Sequence, residues 1–441
     1  MKAPIIFPDI LLPAKSVAMK TWPVIACDQF TADEEYWKSV EQTVGDRPST
    51  LNLVLPEIYL DRPGREERER RIRRTMREYL DEGVFQEIPK TAVFVRRTLS
   101  TGGLRRGVVV AVDLEQYDFD PEQKSIIRAS EETIPDRLPP RAAIRNGAPL
   151  ESPHVLVLFD DPDDTVMTQL DENRLDLTKL YDTPLMNGGG SVEGYAVPEG
   201  SAEANALIAG LESLTTIESY GYLFATGDGN HSLAAAKTVW TARKREGAPP
   251  DDPYRYCLVE LVNVYDRGLP FHPIHRLVEG GNGAEGGGGD AGTGGTEKLF
   301  LDRLISRTGG SFSKLDRDAL VTRLNSQGLT SQEVGVIGPE RCGIVRLGAG
   351  AKPTGGELAV AVTDEAIAAS SPGAVDYIHG LEEVITAAST RNGIAVILPE
   401  IDRSGLFSTV ATKGTLPRKA FSLGEARDKR YYLECRRLER N

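Results

Sequence analysis

The sequence predicts a mixed α/β protein built in several regions, and three observations carry that expectation. Short apolar runs rich in valine, leucine and isoleucine are bounded by turn residues, as buried strands are. Between them lie stretches of helical composition with one apolar stripe. At residues 222–237 an apolar run passes through two glycines into an alanine-rich segment, so a strand hands over directly to a helix.

Taken in order, residues 22–26 and 51–55 read as short strands, with a helix over 32–42 between them. Residues 65–82 mix charges of both signs around Ile72, Met76, Tyr79 and Leu80, which fits a solvated amphipathic helix whose arginines pair with glutamates one turn away. Strands at 91–95 and 106–112, joined through Gly102 and Gly103, form a hairpin with a loose loop. Another buried strand runs over 154–159, a helix over 201–214, and a strand over 257–264 leads into the Pro-broken extended segment 270–278. Residues 279–296 are dominated by glycine, contain no apolar side chain larger than alanine, and are expected to be a flexible surface insertion. A helix over 297–307 and a strand over 393–398 follow, and the alternating tail 429–435 is expected to end in a sheet.

Bulk properties narrow the function class. A chain of 441 residues with net charge −13 and no long basic block is a poor match to a nucleic-acid track, so the expected partner is a small molecule. The N-terminal stretch is punctuated by Pro4, Pro8 and Pro13, and neither a signal peptide nor a membrane span is expected. Cys27, Cys257, Cys342 and Cys435 are scattered without paired spacing, which fits a reducing cytoplasm. Nothing in the sequence bears on oligomeric state.

The chemistry concentrates at Gly227-Asp228-Gly229-Asn230-His231-Ser232. The first N–H groups of a helix lack intrahelical partners and carry partial positive charge, so this corner suits a phosphate or carboxylate, with Asp228 and His231 beside it. Helix capping by Asp228, Asn230 or Ser232 is the plainer alternative, although capping has no use for His231. Further clusters are Glu131-Glu132-Thr133 with Arg137, Arg141 and Arg145; His272 and His275-Arg276 after a buried strand; and Glu57 just after the 51–55 run. His275 with Arg276 suits an anion better than a metal.

These clusters together resemble the family named domain of unknown function 1015. The resemblance rests on Glu131 or Glu132 with Thr133 and Arg137, Asp228-Gly229-x-His231, Pro273 to Val278, Asp376 to Gly380, and Leu416 to Ala426. The Asp-Gly-x-His turn also resembles, over a short stretch, the nucleotide-binding motif of the ParB/sulfiredoxin fold, which includes free-serine kinases. In those the motif reads Asp-Gly-His-His-Arg; here Asn230 and Ser232 stand at the first His and the Arg.

The resemblance implies a ParB/sulfiredoxin-like region at 151–278, flanked by α/β regions at 1–150 and 297–441 and followed by the 279–296 insertion. It further implies a nucleotide-dependent phosphotransferase, a free serine kinase being the foremost case, using ATP or ADP with Mg²⁺. In that reading Asp228 binds the metal and orients the transferring group, while His231 donates to it. Gly227, Gly229, Asn230, Ser232, His275 and Arg276 hold phosphate, with Arg276 in place of the missing motif arginine. Glu57 accepts the hydroxyl proton, and Glu132, Thr133, Arg137 and Arg141 bind substrate. A phosphate-ester hydrolase such as a phosphoserine phosphatase, or a non-catalytic nucleotide sensor, would use the same anion site.

Overall fold

The computed structural model describes residues 2–60, 62–152, 154–280, 293–348, 359–417 and 419–439. The chain is mixed α/β and divides into two compact units, Met1–Pro270 with Gly424–Asn441, and Phe271–Leu423. Among the described residues no helix is long and apolar enough to cross a membrane.

The first unit is organised on a ten-stranded sheet. The expected hairpin forms its centre, with Thr91–Thr98 antiparallel to Leu104–Asp113 and Gly102 in the left-handed region at the turn. Tyr256–Asn263 adds antiparallel to Leu104–Asp113, then Leu156–Phe159 adds parallel to Tyr256–Asn263. Phe224–Asp228 lies antiparallel to Leu156–Phe159, with Leu156 opposite Asp228. The short strands Ile127–Arg128 and Tyr117–Asp118 complete that side in parallel, and Ser191–Pro198 and Lys179–Pro184 complete the other. Residues 108–112 are fully buried, which explains why they read as an unbroken apolar run rather than an alternating one.

Helices form where amphipathic periodicity predicts them, over Glu34–Val44, Arg65–Asp81, Ala202–Ser213 and Asn230–Arg245. Arg65–Asp81 buries Ile72, Met76 and Tyr79 and pairs Arg65 and Arg73 with Glu69 at i,i+4. Residues 51–55 are not a strand. Thr50–Leu53 is a short 3₁₀ helix, because the Ser49 hydroxyl accepts from the Leu51 N–H at 3.2 Å and bends the backbone locally.

The C-terminal tail pairs as expected, but in two short ladders rather than in the large sheet. Tyr431–Tyr432 joins Val24–Ile25, and Arg436–Arg437 joins Leu150–Glu151. Buried ion pairs fasten it. Arg430 bridges Glu260 and Glu434, and the Arg436 Nε donates to Glu151 at 2.7 Å while Arg145 takes the other carboxylate oxygen. Arg430, Glu260 and Glu434 are each at most 4% exposed.

The second unit has a seven-stranded antiparallel sheet, ordered Ser311–Lys314, Cys342–Arg346, Glu333–Ile337, Ile394–Ile397, Phe271–Glu279 and Ala374–His379, with Phe421–Leu423 also on Phe271–Glu279. Its helices are Thr293–Thr308, Arg317–Gln327, Ala359–Ala368, Leu381–Thr390 and Leu406–Lys413. Of the glycine-rich stretch, residues 281–292 lie outside the described residues. His275 is buried, and its Nδ1 accepts the Leu398 N–H at 3.2 Å. Burial, His379 and Arg276 together lower its pKa from 6.5 to about 4.

Two outcomes follow. Arg430→Met removes the cation between two buried carboxylates, leaving Glu260 to Arg105 at 3.9 Å, and is expected to cost about 3–5 kcal/mol in denaturant unfolding. The unfolded chain protonates His275 near 6.5 and the folded one near 4, so the unfolded state binds more protons between these values. The stability contributed by neutral His275 is therefore complete above pH 6.5 and declines as pH falls toward 4, by at most about 3 kcal/mol. His275→Asn, which keeps an acceptor for Leu398, should flatten that decline in melting curves recorded across the interval.

Candidate functional site

The strand Phe224–Asp228 ends at Gly229, whose φ of 72° is left-handed, and the helix Asn230–Arg245 begins at the next residue. The helix is held by its buried face of Leu233, Ala234, Ala235, Ala236, Val239 and Trp240. The antiparallel register draws the start of the neighbouring strand to the turn, so a Cβ on Gly229 would lie 3.1 Å from the Val155 Cα and 3.3 Å from the His154 ring. Conformation and close approach both demand glycine here.

Most of the motif's polar side chains serve this corner's architecture. The Thr226 hydroxyl accepts from the Ser130 N–H and donates to Asn230 Oδ1, both at 3.0 Å. The Asn230 amide donates to the Glu131 carbonyl at 2.8 Å and to Thr133 Oγ1 at 3.2 Å. His231 Nε2 accepts the Ile134 N–H at 3.1 Å. Asn230, His231 and Thr133 thus pin the 130–134 segment to the helix start. Asp228 accepts from the Gly229 N–H at 2.9 Å and pairs with Lys429 Nζ at 3.1 Å. Gly227 is half-buried, while Glu132 and Arg137 are exposed.

Ser232, Glu57 and Arg141 come together with other groups around a cavity of about 150 Å³, whose floor includes Leu53, Leu55, Met76 and Leu150. Arg141 pairs with Glu57 and also donates to the Arg137 carbonyl at 2.9 Å. Of the other polar members, which include Arg145, Glu151, Ser152 and Cys257, sequence reasoning missed His154, Tyr432 and Cys27, and the Asp28 beside them. His154 Nε2 lies 3.3 Å from Ser232 Oγ and 3.8 Å from Asp28 Oδ2, and its Nδ1 lies 2.7 Å from the Tyr432 hydroxyl. That hydroxyl donates to Cys27 Sγ at 2.9 Å and accepts the Cys27 N–H at 3.3 Å.

The surroundings shift Cys27, Tyr432 and Asp28. Burial, reinforced by Asp28, pushes the Cys27 thiol up to about 12. Burial likewise holds the Tyr432 phenol well above its ordinary value. Burial alone would raise Asp28, but His154, the Gln29 amide and Lys429 outweigh it and hold the carboxyl below the usual range. Cys27 is therefore a protonated thiol and Tyr432 a protonated phenol at the cavity, with the ionised Asp28 beside the His154 ring.

His275 and Arg276 lie on the strand Phe271–Glu279 of the second unit. Arg276 is fully buried and bidentate to Asp364 at 2.8 and 2.9 Å, with further donations to the Ile274 and Lys419 carbonyls. Its guanidinium is thereby engaged inside that unit. Asp228 belongs to no cluster of three metal-ligating side chains among the described residues. A single carboxylate suffices for Mg²⁺ only where phosphates and water complete the shell, and here the ion would compete with Lys429.

The family model described as "Protein of unknown function (DUF1015)" matches residues 7–286. No curated protein matches the sequence. Among solved structures, a mutant free serine kinase in complex with AMP is 10% identical, with a TM-score of 0.36 over 75% of this chain and 92% of that one. A conserved hypothetical protein from Pyrococcus furiosus is 12% identical, with a TM-score of 0.31 over 74% and 90%. SbnI with a C-terminal truncation, from Staphylococcus aureus, is 11% identical, with a TM-score of 0.34 over 72% and 83%. These likenesses are remote.

Gly229→Ala is expected to lower stability by about 2–3 kcal/mol, since the left-handed backbone alone costs about 1–2 and the Val155 contact adds to it. Gly64→Ala is the control, because Gly64 has φ 85° but nothing within 4 Å of its missing Cβ. Equal losses in the two variants would remove the close approach as a cause.

Proposed function

The chain belongs to the DUF1015 family, and we propose that this member's cavity binds a nucleotide and transfers its terminal phosphoryl group to the hydroxyl of a small molecule. The observation that carries this reading is the meeting, in one cavity, of a hydroxyl in the first turn of a helix, an arginine–carboxylate pair and an imidazole. Phosphoryl transfer asks a protein chiefly for positioning and charge neutralisation, and these groups supply both. Free serine is the first acceptor to test, because the Asp228-Gly229-x-His231 turn resembles that of the free-serine kinases.

The helix's first turn, with the Ser232 hydroxyl, holds phosphate oxygens. Arg141 turns from Glu57 to the incoming phosphate, where its donors meet a higher charge. That exchange releases the Glu57 carboxylate to accept the proton of the acceptor hydroxyl. Lys429, paired with Asp228, is the second cation near the turn. Magnesium entering with the nucleotide would neutralise phosphate charge, with Asp228 as its ligand from the chain. The apolar floor keeps water from the transferring group, which favours transfer over hydrolysis.

A nucleotide sensor is the second reading. It is favoured by one observation, that Glu57 and His231 both have protein partners.

The test supplies ATP or ADP, Mg²⁺ and L-serine, and follows phosphoserine and free phosphate beside calorimetric nucleotide binding. Glu57→Gln is expected to bind nucleotide at least as tightly as the parent while losing about 10²–10⁴-fold in transfer. Arg141→Gln is expected to weaken nucleotide binding about tenfold or more. Nucleotide binding with no product under any acceptor would replace the transferase with the sensor, and free phosphate alone would replace it with a hydrolase.

A further inference from the structure

We infer that Ser232 is a nucleophile, that His154 is its general base, and that the cavity works through a covalent phosphoserine on the chain itself. The inference deepens the phosphotransferase reading and takes its physiological donor from it.

The geometry accommodates one productive set of proton positions. The Tyr432 hydroxyl gives its only proton to Cys27 Sγ and accepts from the Cys27 N–H. The proposed mechanism uses the tautomer in which Nδ1, 2.7 Å from the Tyr432 oxygen, carries the ring proton and donates it there. His154 Nε2 is then a lone pair, and the group 3.3 Å from it is the Ser232 hydroxyl. A hydroxyl donating to an imidazole whose other nitrogen is anchored is the arrangement that activates serine. Asp28 Oδ2, 3.8 Å from Nε2, stabilises the imidazolium once the proton arrives.

Ser232 stands where the kinase-like motif has arginine, so the departure exchanges a fixed cation for a hydroxyl that an otherwise unexplained buried histidine can deprotonate. In the first half-reaction the Ser232 oxygen attacks the terminal phosphorus. An O–P bond forms, the bond to the nucleotide's bridging oxygen breaks, the shortened nucleotide leaves with the electron pair, and the hydroxyl proton moves to His154 Nε2. In the second, the acceptor oxygen attacks the same phosphorus after losing its proton to Glu57. The bond to Ser232 breaks, and His154 returns the proton to the serine oxygen.

The test uses diisopropyl fluorophosphate on the full chain, with intact-mass measurement and peptide mapping. This reagent needs no nucleotide: the serine oxygen displaces fluoride from phosphorus and its proton goes to His154. One adduct at Ser232 is expected, absent in Ser232→Ala and formed on the order of a hundredfold more slowly in His154→Asn. Should His154→Asn fail to fold, Tyr432→Phe serves instead, and about tenfold slower labelling is expected because the ring loses its anchor. No adduct at Ser232, or equal rates in parent and variants, overturns the inference. A second arm incubates the chain with γ-labelled ATP and Mg²⁺ and maps label to Ser232. An adduct with the fluorophosphate but no nucleotide label keeps the nucleophile and removes the nucleotide. Transfer to serine that persists in Ser232→Ala removes the covalent intermediate and keeps the transferase.

Discussion

The buried ion pairs that hold the last residues against the large sheet are the constraint on which the rest of the first unit depends. Arg430 lies between Glu260 and Glu434, all nearly inaccessible, and Arg436 and Arg145 share Glu151. Removing such charges from water is costly, and mutual attraction offsets the cost only where geometry is right. The pairs therefore specify position more than they add stability. Fixing Arg430 fixes Lys429 and Tyr432 on either side of it, and these supply Asp228 with a counterion and His154 with an acceptor.

From that anchor the cavity follows by short geometric steps. Tyr431–Tyr432 pairs with Val24–Ile25, which delivers Cys27 and Asp28. The register of Leu156 against Asp228 delivers His154 to the turn, and Gly229 lets two backbones meet there without a side chain between them. No element provides more than a few of the polar groups. The side chains that the glycine motif contributes locally are divided, with Ser232 facing the cavity and Thr226, Asn230 and His231 holding the 130–134 segment in place.

Local pattern accounts for what could be read from the chain directly. The charged 65–82 helix carries its own periodicity, the valine-rich hairpin its unbroken apolar runs, and the 222–237 strand–turn–helix its glycines and alanines, and each is present. Residues 51–55 misled because four apolar residues around Asn52 are too short a pattern to distinguish strand from 3₁₀ turn, and the Ser49 hydroxyl decides the matter. Glu57, Arg141 and Ser232 could be singled out because each borders an informative local motif. His154 looked like the first residue of a buried strand, and Tyr432 like part of a sheet tail. Their partnership spans 278 residues of sequence and leaves no local trace.

The chain order of the two units has a kinetic consequence. Residues 271–423 interrupt the first unit, whose closing segment is 424–441. During synthesis the inserted unit emerges before the first unit's two short ladders can form, Tyr431–Tyr432 on Val24–Ile25 and Arg436–Arg437 on Leu150–Glu151. Pairing across so long a separation is slow because loop-closure entropy must be overcome before any contact compensates it. The imidazole, phenol and thiol can therefore come together only once the chain has been made as far as Tyr432.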